Sequence, residues 1–323
     1  MTLTDTELVA NGTDSLDSVE VVNLVGGASN NVIDASTTIQ LSTIINAQAG
    51  NDLIKGGEGI DSIIGGAGND TILGGLNNDI LRGDVGNDRI IGSFGDDTLY
   101  GAAGDDTIIG GSGFDVLIES GDTDFVLTDN SLMGNGTDSL TAIQRVQLTG
   151  GNGDNLIDAS AVAVINQTVL TGGNGNDTLL GGAKQDTLRG NAGDDLLEGG
   201  DLRDVIFGGA DDDILMGMSG NDILKGEAGN DTFSGGDGTD VFTGGSGSDV
   251  FGIEVTPTGR DVILDFEDGV DYLSLGVDLS FDELRIVGNA AGTVTAIRLE
   301  SNNQLLTVVK DIGYTDITEA DFI

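Results

Sequence analysis

The sequence predicts an all-β protein: a right-handed parallel β-roll in two blocks of stacked coils, with irregular β spacers and a C-terminal antiparallel β cap. Three observations predict it. A nine-residue period runs without a gap over two long stretches. Glycine makes up 55 of the 323 residues beside a single proline. Apolar residues return at one fixed place in each period.

From Gly56 the chain reads GGEGIDSII, GGAGNDTIL, GGLNNDILR, GDVGNDRII, GSFGDDTLY, GAAGDDTII, GGSGFDVLI, ending at Ile118. From Gly172 it reads GGNGNDTLL, GGAKQDTLR, GNAGDDLLE, GGDLRDVIF, GGADDDILM, GMSGNDILK, GEAGNDTFS, GGDGTDVFT, GGSGSDVFG, ending at Gly252. In all 16 units position one is Gly, position six is Asp and position eight is Ile, Leu or Phe; position four is Gly in 12. A degenerate unit, Ala47 to Lys55, leads into the first block in register and keeps Gly50 and Asp52. Glycine permits positive φ, so GGxGxD makes a tight turn. The next three residues make a short strand whose middle side chain faces inward. Two nonapeptides complete a coil of 18 residues, coils stack at about 4.8 Å, and alternate turns fall in two rows. Ile63 meets Ile72, and Leu179 meets Leu188, in the core.

Position six then presents one carboxylate at the same point of every coil. With the carbonyls of the glycine turns, two stacked loops form a cage of oxygens alone. Calcium accepts 6–8 oxygens in flexible geometry, whereas Mg²⁺ demands a stricter octahedron and keeps its waters. The candidate ligands are Asp52, Asp61, Asp70, Asp79, Asp88, Asp97, Asp106 and Asp115 in the first block, and Asp177, Asp186, Asp195, Asp204, Asp213, Asp222, Asp231, Asp240 and Asp249 in the second. Pairing each loop with the loop 18 residues on gives 12 ions, or 13 with the lead-in unit. Twelve Ca²⁺ would move the net charge from −43 to −19. The thin core and stacked carboxylates make metal binding and folding one process.

Composition excludes other classes. With 55 acidic and 12 basic residues the chain repels nucleic acid and anionic lipid. It has no Cys, His or Trp, so disulfides, thiol nucleophiles, Ser-His-Asp triads and Cys/His zinc sites are absent. No Gly-Lys dipeptide supports a P-loop, and no apolar run has the length of a membrane span. Met1 to Asn11 lacks the basic and apolar parts of a Sec-type signal peptide. Every carboxylate in the blocks has a turn or metal explanation, nothing singles out a catalytic pair, and the expectation is a protein that is not an enzyme.

The units resemble the RTX family, the haemolysin-type calcium-binding repeats, whose pattern is GGxGxDxUx. The resemblance covers the two blocks, about half of the chain. It implies a β-roll with calcium between loops of one row, and export by a Gram-negative type I secretion machinery to the extracellular medium or cell surface. The family includes toxins, proteases, lipases, epimerases and surface proteins, so the repeat names a module rather than an activity. The HExxH of its proteases is missing here.

Residues 3–36 and 127–160 align without gaps with 19 identities in 34, so a spacer and a nonapeptide block occur twice in tandem. The NGT sequences at Asn11 and Asn135 read as turns, and GGASNNVID and GGNGDNLID read as degenerate coils with Asn31 or Asn155 in place of Asp. The expected organisation is an N-terminal spacer, 1–46; a first roll, 47–118; a duplicated spacer, 119–171; a second roll, 172–252; and a C-terminal region, 253–323. In that last region DVILDFEDGVDYLSLG, LRIVGNAAGTVTAIRLE and LLTVVKD read as antiparallel strands. The resemblance implies a secretion signal at Asp321, Phe322 and Ile323.

Three readings of role stand: a secreted structural or surface-associated protein, a module binding a polysaccharide or cell-surface partner, and, third, a polysaccharide-modifying enzyme. Two local expectations follow. Leu73, Ile91 and Ile109 stack as an apolar stripe on an outer face. Lys184 and Leu202 replace the position-four glycine in two neighbouring loops, so the site between Asp186 and Asp204 should be weak, with Lys184 or Arg203 ion-paired there.

Overall fold

The structure is a computed structural model that describes residues 2–4, 7–9, 13–15, 21–37, 41–255, 259–276, 279–289, 294–310, 312 and 316–323, with side-chain surroundings from residue 21 onward apart from residue 37. Apart from two short 3-10 turns, Phe281–Glu283 and Glu319–Asp321, every described helix or strand is a strand. No described helix is long and apolar enough to cross a membrane. The chain forms two compact units, one of residues 1–121, 125–148 and 164–167, the other of 122–124, 149–163 and 168–323.

In the first unit, consecutive strands alternate between two parallel ladders, because each nonapeptide turns the chain back once. One ladder holds Val21–Gly27, Ser42–Ala49, Ser62–Ala67, Ile80–Val85, Thr98–Ala103 and Val116–Ser120. The other holds Val32–Thr37, Leu53–Gly57, Thr71–Gly75, Arg89–Phe94, Thr107–Ser112 and Thr137–Thr141. Ile63, Leu81 and Leu99 therefore stack in one column and Ile54, Ile72, Ile90 and Ile108 in the other, all essentially inaccessible to water. Each spacer opens with an antiparallel meander, ahead of its degenerate coil. Phe125–Thr128, Ser131–Met133 and Thr137–Thr141 form one, and Thr2–Thr4, Glu7–Val9 and Thr13–Ser15 form its duplicate. Asn135 and Gly136 lie in the bend before Thr137, as a turn should; Asn11 lies outside the described residues.

The second unit repeats the plan. Leu156–Ala161, Thr178–Gly182, Leu196–Asp201, Ile214–Gly220, Thr232–Ser234 and Val250–Ile253 form one parallel ladder. Gln167–Asn174, Thr187–Ala192, Val205–Ala210, Ile223–Ala228 and Val241–Ser246 form the other. Phenylalanine takes over position eight in the last units, and Phe233 stacks on Phe251 at 5.0 Å with Phe242 and Phe266 against them.

The reading of residues 261–275 as antiparallel strands is corrected. Asp261–Ile263 and Tyr272–Leu275 each add a parallel strand to the ladders, because Val262 and Tyr272 continue the outward positions and Ile263 and Leu273 the inward ones. In the C-terminal region, among the described residues, Leu284–Gly288, Val294–Leu299 and Leu305–Lys310 pair antiparallel, and Leu305–Lys310 docks parallel to Asp261–Ile263. The chain terminus lies against this end: Phe322 packs on Phe281 at 5.0 Å and the Ile323 N–H donates to the Leu273 carbonyl at 3.0 Å.

Candidate metal centre

Glycine at position one has a different cause from the one its turn suggests. Positive φ falls on positions two and four, as at Gly66 and Gly68, and on no position-one glycine of the repeats. Position one lacks room instead. A Cβ on Gly190 would lie 2.0 Å from Oδ2 of Asp195 in its own loop and 2.7 Å from the Gly208 carbonyl of the next coil.

The position-six aspartates form columns. Each backbone N–H donates to Oδ1 of the aspartate one coil on, as Asp52 to Asp70 at 2.7 Å, Asp61 to Asp79 at 2.8 Å, Asp177 to Asp195 at 2.7 Å and Asp204 to Asp222 at 2.8 Å, except at Asp115, which donates to Gln144 Oε1. The second oxygen is left over. In sixteen of the seventeen aspartates expected as ligands, all but Asp249, Oδ2 is buried with no hydrogen-bond partner. Carbonyls stand near it: a Cβ on Gly65 would meet both Asp70 Oδ2 and the Gly83 carbonyl of the next coil, and one on Gly74 both Asp79 Oδ2 and the Gly92 carbonyl. Among the described residues no three acidic side chains converge on one point, so any ion needs a pair of carboxylates with carbonyls around it.

Burial without a counter-charge disfavours the carboxylates. It pushes Asp79, Asp204 and Asp213 up to about 8 and Asp88, Asp195 and Asp222 to about 7, with neighbouring carboxylates adding to the rise at each of them. A hard divalent cation satisfies all of these features at once: orphaned anionic oxygens, converging carbonyls, and no nitrogen or sulfur donors.

The columns reach beyond the repeats. At their starts stand Asn31, Thr43, Asn155 and Thr168, which donate to Asp52, Asp61, Asp177 and Asp186. At their far ends Asp106 donates to Asp138, Asp240 to Asp261 and Asp249 to Asp271. These three aspartates were missed in the sequence, although Gly136-Thr-Asp138, Gly259-Arg-Asp261 and Gly269-Val-Asp271 each keep the position-four glycine and an apolar residue two after the Asp. A second, exposed column was also missed. Position-five side chains Asn51, Asn69 and Asn87 accept the N–H of Asn69, Asn87 and Asp105 at 2.9–3.1 Å.

The expected defect at Lys184 and Leu202 takes another form. Among the described residues the ion pairs are Lys55–Asp34 and Arg82–Asp84, so neither Lys184 nor Arg203 pairs with Asp186 or Asp204. Arg203 is exposed and acts instead on Asp222, where it offsets a small part of the rise that burial causes. Lys184 avoids positive φ altogether, whereas Leu202 takes φ +68°. The Asp186 and Asp204 Oδ2 atoms are unpartnered like the rest. A left-handed leucine costs about 1 kcal/mol. Leu202→Gly is therefore expected to raise the Tm of the calcium-loaded chain by roughly 2–4 °C, read from a thermal melt.

Parallel coils with an oxygen cage at each turn define a calcium-binding β-roll. The RTX calcium-binding nonapeptide repeat (4 copies) matches residues 46–81, 82–117, 171–206, 198–224 and 216–251, and this chain is a calcium-binding β-roll protein carrying RTX repeats. Among solved structures it is similar to the AlgE6R3 subunit of the Azotobacter vinelandii mannuronan C5-epimerase, with 24% identity, a TM-score of 0.31, and 38% of this chain and 78% of that one covered. It is also similar to the extracellular lipase LipA from Serratia marcescens, with 19% identity, a TM-score of 0.27 and 88% of this chain covered; it spans 45% of the lipase. No curated protein matches the chain.

Proposed function

We propose that the chain is a secreted, structural or surface-associated protein without catalysis, whose rolls fold when they meet calcium outside the cell. The seventeen position-six aspartates serve as its calcium ligands, about 12 ions bind, and the five segments bounded at 46, 118, 171 and 252 act as spacer, roll, spacer, roll and cap. The observation that carries this reading is the buried, unpartnered Oδ2 repeated in sixteen loops. Such oxygens are costly unless a cation neutralises them. Where calcium is scarce the chain stays threadable for a type I exporter, with Asp321–Ile323 free of the contacts they make in the folded state. Calcium titration into the EDTA-treated chain, followed by circular dichroism, is expected to produce β-structure cooperatively. A spectrum unchanged by EDTA would overturn the proposal.

A second reading is favoured by one surface. Ile91 stands in register between Leu73 and Ile109, as the stripe requires. Beside it a shallow groove is lined by Lys55, Leu73, Leu76 and Phe94 over a glycine floor, with Phe94 60% exposed. An exposed aromatic face over a glycine floor suits a polysaccharide or other cell-surface ligand. A glycan-binding screen with and without calcium separates the readings.

A further inference from the structure

The loop Gly101–Asp106 ends its row in the nonapeptide pattern, yet the structure stacks another loop on it, made from two separate stretches of chain. Glu119 follows Val116 and Leu117, which pair with Thr98 and Leu99, and so stands in register over Gly101. The chain then leaves and returns at Asn135–Asp138. From there the main contacts of a regular loop pair recur. The Gly104 N–H donates to Asn135 O as the Gly86 N–H does to Ala103 O. The Thr137 N–H donates to Asp105 Oδ1 at 2.9 Å, and the Asp106 N–H to Asp138 Oδ1 at 2.9 Å. Leu140 pairs with Ile108 at the inward position. Gly104 O aims at Gly136, where a Cβ would lie 1.8 Å from it. The spacing between paired aspartates is 32 residues instead of 18.

This place carries more negative charge than a repeat site. Asp106, Asp138 and Glu119 are all at most 5% exposed. The Asp106 Oδ2 is buried and unpartnered. At Gly101 a Cβ would meet Asp106 Oδ2 at 2.6 Å and Glu119 Oε1 at 3.1 Å, so the two carboxylates flank one residue. The Glu119 carboxylate accepts the Gly101 N–H at 2.6 Å and the Ala102 N–H at 3.1 Å. Among the described residues, no basic side chain is ion-paired to any of the three carboxylates. Buried anions without a counter-ion are too costly to persist.

We propose that the first unit holds a further calcium site outside the nonapeptide repeats, between the loop Gly101–Asp106 and the discontinuous loop of Glu119 with Asn135–Asp138. Asp106 and Asp138 supply its carboxylate pair, and Glu119 is a positioning residue that adds charge and holds the Gly101 and Ala102 amides. The proposal rests on the calcium reading above, and its test separates the two. Asn31 and Asn155 already occupy position six at the start of their columns, so Asp138→Asn is compatible with the fold. Native mass spectrometry of the full chain at saturating calcium is expected to show one ion fewer in Asp138→Asn than in the parent. In Glu119→Gln the saturated count should be unchanged, but one ion should be lost at about fivefold lower chelator concentration. Equal counts in Asp138→Asn and the parent, or superimposable chelator titrations for Glu119→Gln, would overturn the site while leaving calcium binding by the repeats intact. A parent chain that binds no calcium would overturn both.

Discussion

Stripped of calcium, the chain is expected to be unfolded at pH 8 and to gain β-structure as the pH is lowered towards 6. The sign follows from the columns. Asp79, Asp204 and Asp213 titrate near 8 when folded, and Asp88, Asp195 and Asp222 near 7, against about 3.9 in an unfolded chain. The folded state therefore binds more protons across this range. The stability so gained is complete below about pH 4 and is lost as the pH rises through 7–8. A proton does part of what the cation does, by removing charge that burial cannot tolerate. Because stacked carboxylates interact, the column titrates as a set. Circular dichroism in EDTA from pH 8 to 5.5, above the pI of 4.1, checks this, and a metal-free chain that loses order on acidification would refute it. With calcium present the same protons compete with the ion, so the calcium midpoint should rise as the pH falls.

Gly190→Ala should be among the most damaging substitutions in the second unit. The new methyl group would need the space held by Asp195 Oδ2 and the Gly208 carbonyl. The backbone of the next coil cannot give way without breaking its own ladder, so the Asp195 carboxylate must leave the cage. The expected loss is about 3 kcal/mol in calcium-loaded unfolding, with one ion fewer bound. Gly27→Ala is the control: a Cβ there meets nothing within 4 Å, and a change within about 0.5 kcal/mol is expected. Equal effects of the two substitutions in a denaturant titration would show that position one is conformational rather than steric.

Much of this architecture was legible because the repeat encodes both contacts a coil needs. Asp at position six and an apolar residue at position eight determine the turn column and the core column, and nine residues determine which side each falls on. What escaped was whatever departs from continuous spacing. Asp138 closes a loop whose first residue lies 19 positions earlier. Asp261 and Asp271 were hidden because their units lack the leading glycine, while the hydrophobic alternation around them suits either strand direction. The meanders were not foreseen, because LTDNSLMGNGTDSL has short alternating runs whose pairing depends on a bend, not on composition. Lys184 or Arg203 was expected to pair with Asp186 or Asp204, but among the described residues neither forms such a pair.

Alternation between two ladders constrains how such a chain can change length. Removing one nonapeptide would send every later strand to the opposite sheet. Each loop row would then be spliced to its counterpart, and the position-five column through Asn51, Asn69 and Asn87 would run into a row that has Ile60 at that position. Removing two restores every partner. Gain and loss of repeats in this protein should therefore proceed in even steps, with eighteen residues as the smallest heritable unit.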